Sequence, residues 1–134
     1  MPMRISGTFE VTLQPQEADD KEDGSTLGRL SIDKHFHGDL DARSKGQMLS
    51  ALSDVQGSAG YVAVERVRGT LNGRRGSFVL QHCGTMSKQG AKMTITVVPD
   101  SGSGELVGLA ASMAIRVEGG QHFYDLEYTL PDAP

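Results

Sequence analysis

An Asn-Gly dipeptide, Asn72-Gly73, separates two runs in which apolar and polar residues alternate, within the segment Tyr61 to Met86. Both positions of Asn-Gly tolerate positive φ, so the pair favours the tight two-residue turn of a β-hairpin. The same period-two alternation continues along nearly the whole chain, and no sustained helical stripe interrupts it. The sequence therefore predicts an all-β protein.

Strand-like segments recur between turn signals, which include Gly38-Asp39, Gln89-Gly90 and Gly119-Gly120. The acidic run from Gln14 to Ser25 is interpreted as a connection, and the last four residues as a fraying tail. Eight short strands favour a sandwich or a barrel, and a closed barrel is preferred because closure removes the exposed edge strands. The predicted segments are Ile5–Leu13, Thr26–Phe36, Leu40–Leu52, the two arms of Tyr61–Met86, Lys92–Val98, Ala111–Val117 and Gln121–Leu130.

The composition limits the classes of function. At 134 residues, the chain is predicted to form one domain over residues 1–134. Its net charge of -4 argues against binding to nucleic acid or to an anionic membrane. One cysteine and no secretory leader pattern predict a soluble cytoplasmic protein. No motif calls for a cofactor.

Four longer motifs stand out in the sequence: GTFEV, KHFHGDL, VERVRGTLNGRRGSFVLQHCGTM and VVPDSGSGELVGL. Together they resemble a bacterial family of unknown function whose members look like the allene oxide cyclase barrel, and more remotely the dirigent proteins. The resemblance implies an eight-stranded antiparallel allene oxide cyclase-like (calycin-like) barrel with an internal cavity, assembled as a homo-oligomer. It does not imply cyclase chemistry, because no cyclase residue is matched position by position.

Three ionisable residues, Lys34, Glu65 and His82, alternate with apolar residues and are predicted to point into the barrel, and Met86 is predicted to lie in the core on the same inward face as His82. An unpaired buried charge is costly, so Lys34 is expected to pair with Glu65 and to leave His82 nearby. Two interpretations remain open. The cluster could be a structural plug that fixes the strand register, or it could bind a ligand and carry out acid–base chemistry with Glu65 or His82.

A second set of residues, Tyr124 and Tyr128 with Tyr61 and His122, is predicted to line the barrel mouth and to offer polar groups to a ligand. His35 and His37 share the outer face of one strand and could hold a metal, but the sequence indicates no third ligand, so none is predicted. Cys83 is assigned no nucleophilic role.

Three functions follow from these features. The first is a barrel that binds a small apolar or amphipathic ligand through Lys34, Glu65, His82, Tyr124 and Tyr128. The second is an isomerase or cyclase that uses Glu65 or His82 as acid–base, with Lys34 as a further catalytic candidate. The third is a structural or oligomer-forming module with a filled barrel.

Overall fold

The computed structural model describes residues 2–16 and 20–131, and these residues form strands joined by turns. Two of the ten strands are short, and the other eight run for eight residues or more. The strands are β1 (Met3–Pro15), β2 (Asp20–Glu22), β3 (Ser25–Gly38), β4 (Leu40–Ser53), β5 (Ala59–Leu71), β6 (Arg74–Ser87), β7 (Gly90–Val97), β8 (Ser103–Gly104), β9 (Ala110–Glu118) and β10 (Gln121–Thr129).

The eight long strands close into an antiparallel barrel, as predicted. The order runs from β1 through β10, β9, β7, β6, β5 and β4 to β3, and β3 pairs again with β1. Closure leaves none of these eight strands at an edge. The Asn72-Gly73 turn is confirmed, since both residues have positive φ and join β5 to β6.

The structure extends most predicted strands by a few residues and adds two short ones. Part of the predicted connection from Gln14 to Ser25 is ordered, because β2 pairs with the start of β3. Residues 17–19 of that connection and residues 132–134 of the predicted tail lie outside the described residues. The placement of Met86 in the core is wrong: 54% of this side chain is exposed, because its strand extends to the barrel rim.

One end of the barrel is closed by apolar side chains. The segment between β7 and β9 covers this end, and it inserts Leu106 and Leu109 into the core. The glycine-rich part of this segment includes β8, which pairs with β6, so it is a structural part of the barrel wall. Further residues buried at this end include Leu40, Leu71, Tyr124 and Tyr128.

The opposite end is open. The side chains there continue the inward-facing alternation of their strands, but they are partly or largely exposed. Met93 is 51% exposed and Leu13 is 43% exposed, although both follow the inward set of their strands. We call this end the mouth, and it is lined by Leu13, Leu30, Met48, Tyr61, Met86, Met93, Ile115 and Val117.

Across residues 2–16 and 20–131, no helix has the length and apolar character needed to cross a membrane.

Candidate functional site

The structure brings Lys34, Glu65 and His82 together inside the barrel, as the alternation predicts. They come from β3, β5 and β6, and each is flanked in its inward set by buried apolar residues. Glu65 is 1% exposed, while Lys34 and His82 are each 6% exposed. The three ionisable side chains therefore lie in an interior that is nearly closed to solvent, between the apolar closed end and the mouth.

Glu65 is the centre of the cluster. Its Oε2 accepts a hydrogen bond of 2.9 Å from Nζ of Lys34. Its Oε1 accepts a second bond of 2.8 Å from the hydroxyl of Ser44 on β4. Both carboxylate oxygens are thus satisfied, which a buried carboxylate requires if it is to stay charged.

His82 approaches the same carboxylate from β6. Its Nε2 lies 2.7 Å from Oε2 of Glu65, but the angle is not that of a directed hydrogen bond. A nitrogen lone pair facing a carboxylate oxygen at this distance would be repelled, so we infer that Nε2 carries a proton. Nε2 is also buried, and it has no directed hydrogen-bond partner among the described residues.

The environment keeps Glu65 ionised. Burial by itself would raise the pKa of this carboxyl group, but the contact with His82 and the positive charge of Lys34 outweigh it. The net effect lowers the pKa of Glu65 from 4.5 to about 2. A carboxylate with so low a pKa is a weak general base near neutral pH.

Lys34 has further binding capacity. Its ammonium group lies 5.2 Å from the ring centroid of Phe9 and 5.7 Å from that of Phe36. Cation–π attraction therefore adds to the stabilisation of the buried Lys34 ammonium group, whose charge Glu65 already balances. An ammonium group has three N–H donors, and Glu65 accepts one of them.

Two residues of β4 complete the site, and the sequence analysis assigned no role to either. Ser44 supplies the second hydrogen bond to Glu65. Gly46 stands directly opposite Glu65, and a Cβ there would meet the carbonyl oxygen of Val64 at 2.0 Å. Both are small residues in the inward-facing set of one strand, and this pattern was the available signal for them.

Tyr124 and Tyr128 do not join the cluster. They lie at the closed end, where the Tyr124 hydroxyl donates to the carbonyl oxygen of His37 at 2.9 Å. The Tyr128 hydroxyl accepts from the side-chain amide of Asn72. The predicted position at the mouth is wrong for both, because alternation gives the face of a strand but not the end at which the barrel closes. Tyr61 does lie at the mouth, with its ring centroid 6.3 Å from that of His82.

The outer wall carries grooves of its own. One has a volume of about 780 Å³ and runs across β4, β5, β6 and β7, where Leu49, Val62 and Val64 are exposed. Cys83 also faces this groove and is exposed, without a disulfide. The groove lies outside the barrel, so it offers a ligand a different surface from the mouth.

A closed antiparallel eight-stranded barrel with a buried Lys–Glu–His cluster defines the structural class of this protein. The chain belongs to the DUF3224 family of proteins of unknown function, whose model matches residues 5–128. It is similar to a DUF3224 protein of unknown function from Shewanella oneidensis MR-1, known from a crystal structure. The two are 49% identical with a TM-score of 0.94, over 98% of this chain and 100% of the other. No functionally curated protein matches the chain.

Proposed function

We propose that this protein binds a small apolar or amphipathic molecule at the mouth of its barrel, with the polar end of the molecule directed at Lys34 and His82. The observation that carries the proposal is the contrast between the two ends. Inward-facing residues are buried at the closed end, whereas the apolar residues of the mouth stay partly or largely exposed. Exposed apolar residues clustered beside a few polar groups are typical of a binding surface for small molecules.

Lys34 and His82, the polar residues next to the mouth, favour a ligand with an oxygen acceptor at one end. Lys34 retains N–H donors beyond the one given to Glu65, and Nε2 of His82, although buried, makes no directed hydrogen bond among the described residues. The charge of Glu65 balances that of Lys34, so a neutral carbonyl or hydroxyl would not meet an unpaired charge. A ligand carboxylate would bind more tightly than these neutral groups to the imidazolium form of His82, because its hydrogen bonds would be assisted by charge.

The mouth is also suited to ligands of varied shape. Three of its residues, Met48, Met86 and Met93, are methionines. Methionine side chains are flexible and polarisable, so they can repack around different apolar groups.

Acid–base catalysis by Glu65 is less well supported. Its low pKa and its two occupied oxygens fit a group that fixes Lys34, Ser44 and His82 in place. We therefore propose that Glu65 positions the donors of the ligand site and does not exchange protons with a substrate. A relation to allene oxide cyclases, a homo-oligomeric state and a cytoplasmic location remain predictions from the sequence.

Dodecanoate is a suitable probe because it joins a carboxylate to an apolar tail. We expect calorimetric titration to show saturable binding, and we expect Met93→Glu to weaken it at least about tenfold by placing a negative charge in the mouth, where it repels the carboxylate and opposes burial of the tail. Val64→Glu is the matched control, because Val64 is similarly exposed but lies in the outer groove. Equal binding by Met93→Glu and wild type, or loss confined to Val64→Glu, would overturn the mouth as the site.

A further inference from the structure

Two histidines and a glutamate meet on the outer wall of the barrel. His35 and His37 lie on the same face of β3, and their ring centroids are 4.1 Å apart. Glu10 stands on β1, directly opposite His35 in the strand register. The ligand atoms of the three residues all lie within 4.8 Å of one another. This cluster faces away from the barrel interior, so it is separate from the Lys34–Glu65–His82 cluster.

We propose that Glu10, His35 and His37 form a zinc-binding site. Two imidazoles and one carboxylate are a ligand set that zinc takes up in proteins, with the fourth position left to water or another group. The sequence indicated only the two histidines, because Glu10 is far from them along the chain. The pairing of β1 with β3, which closes the barrel, supplies the third ligand.

The geometry requires only small side-chain movements. Nε2 of His37 is 2.8 Å from Oε1 of Glu10. A zinc ion would replace the proton between these atoms, with metal–ligand distances of about 2.0–2.2 Å. All three side chains are partly exposed, so their rotamers can adjust: His35 is 32% exposed, His37 is 42% exposed and Glu10 is 69% exposed.

The surrounding charges are mixed. Asp41 lies beside His35, with its Oδ1 3.9 Å from Nε2 of the ring, and it can attract the cation or orient the imidazole. Arg43 stands opposite His35 on β4 and opposes binding by its positive charge. The site is therefore expected to bind zinc more weakly than a fully buried structural site, and its affinity should respond to the charge at position 43.

Titration of tag-free protein with Zn²⁺ tests the proposal by calorimetry. We expect one bound ion per chain, with affinity reduced at least about tenfold by Glu10→Gln, His35→Gln or His37→Gln, since even outer-shell partners contribute that much. His122→Gln and Glu127→Gln are controls for losing a histidine or a carboxylate elsewhere. Arg43→Gln should tighten binding. Far-UV circular dichroism of each variant checks that the barrel is folded.

A second readout separates a defined site from loose adsorption. Co²⁺ in place of Zn²⁺ should give the visible absorption of a low-coordinate ion, and each of the three ligand variants should lose it. Absence of Zn²⁺ binding in the wild type would overturn the proposal. So would an affinity that is the same in the three ligand variants and in the two controls.

Discussion

Nζ of Lys34 and Oε2 of Glu65 lie 2.9 Å apart in an interior where the Glu65 side chain is fully buried. Pairs of this kind are costly to break, because the remaining partner keeps its charge without compensation. The alternation of the two strands predicts the pair. Its consequences for stability and for ligand binding can be measured separately.

Glu65→Gln should lower the free energy of unfolding by about 3–5 kcal/mol, since Lys34 would stay charged and buried. The double variant Lys34→Met with Glu65→Gln removes that charge as well, so it should lose less than the single variant. Urea unfolding of the wild type, both single variants and the double variant gives the coupling free energy. If the losses of unfolding free energy in the two single variants simply add up in the double variant, Lys34 and Glu65 do not form a direct pair.

Low pH should lower the stability of the wild-type protein, because it protonates Glu65. A carboxyl group whose pKa is lowered from 4.5 to about 2 contributes stability that is complete above pH 4.5. That contribution, on the order of 3 kcal/mol, is lost as the pH falls towards 2. Urea midpoints measured between pH 6 and about pH 2.5 should therefore fall more steeply for the wild type than for Glu65→Gln. Equal slopes would mean that Glu65 has an ordinary pKa.

Gly46→Ala should destabilise the barrel by about 1–3 kcal/mol, because the added Cβ would press on the backbone at Val64 and Glu65. Gly60→Ala is the matched control, since the nearest atom to a Cβ at Gly60 is an ordinary 3.7 Å away. Thermal unfolding compares the two variants. Equal melting temperatures would show that β4 and β5 are not in close contact at Gly46.

Tyr124→Phe should cost about 1–2 kcal/mol, because the backbone at His37 and Leu40 would lose hydrogen bonds to the hydroxyl. Dodecanoate affinity should be unchanged, since Tyr124 lies at the closed end. Chemical unfolding and calorimetry measure the two quantities on the same sample. Weaker binding by a folded Tyr124→Phe would restore this residue to the ligand site.

The barrel and the Lys34–Glu65–His82 cluster could both be predicted from the sequence, and the reason is physical. Period-two alternation decides which face of a strand is inside, so Lys34, Glu65 and His82 could be placed together. Alternation does not say which end of a barrel is covered. The positions of Tyr124 and Met86 depended on the segment from β7 to β9 and on strand length, and both predictions were wrong.

The alternation of apolar and polar residues also does not predict contacts between strands that are distant in the sequence. Ser44 reaches Glu65, and Glu10 reaches His37, through the registers of β4 with β5 and of β1 with β3. A register fixes individual atom pairs, and a shift by one residue would reverse the faces. Alternation within single strands carries no such information.

Ligand binding at the mouth is tested most directly by nuclear magnetic resonance of protein labelled with ¹³C at the methionine methyl groups, titrated with dodecanoate. The methyl signals of Met48, Met86 and Met93 at the mouth should shift together and saturate. Met3, which is 52% exposed outside the mouth, and Met113, which is buried in the core, should show little change. Saturable binding without shifts at the three mouth methionines would contradict the account.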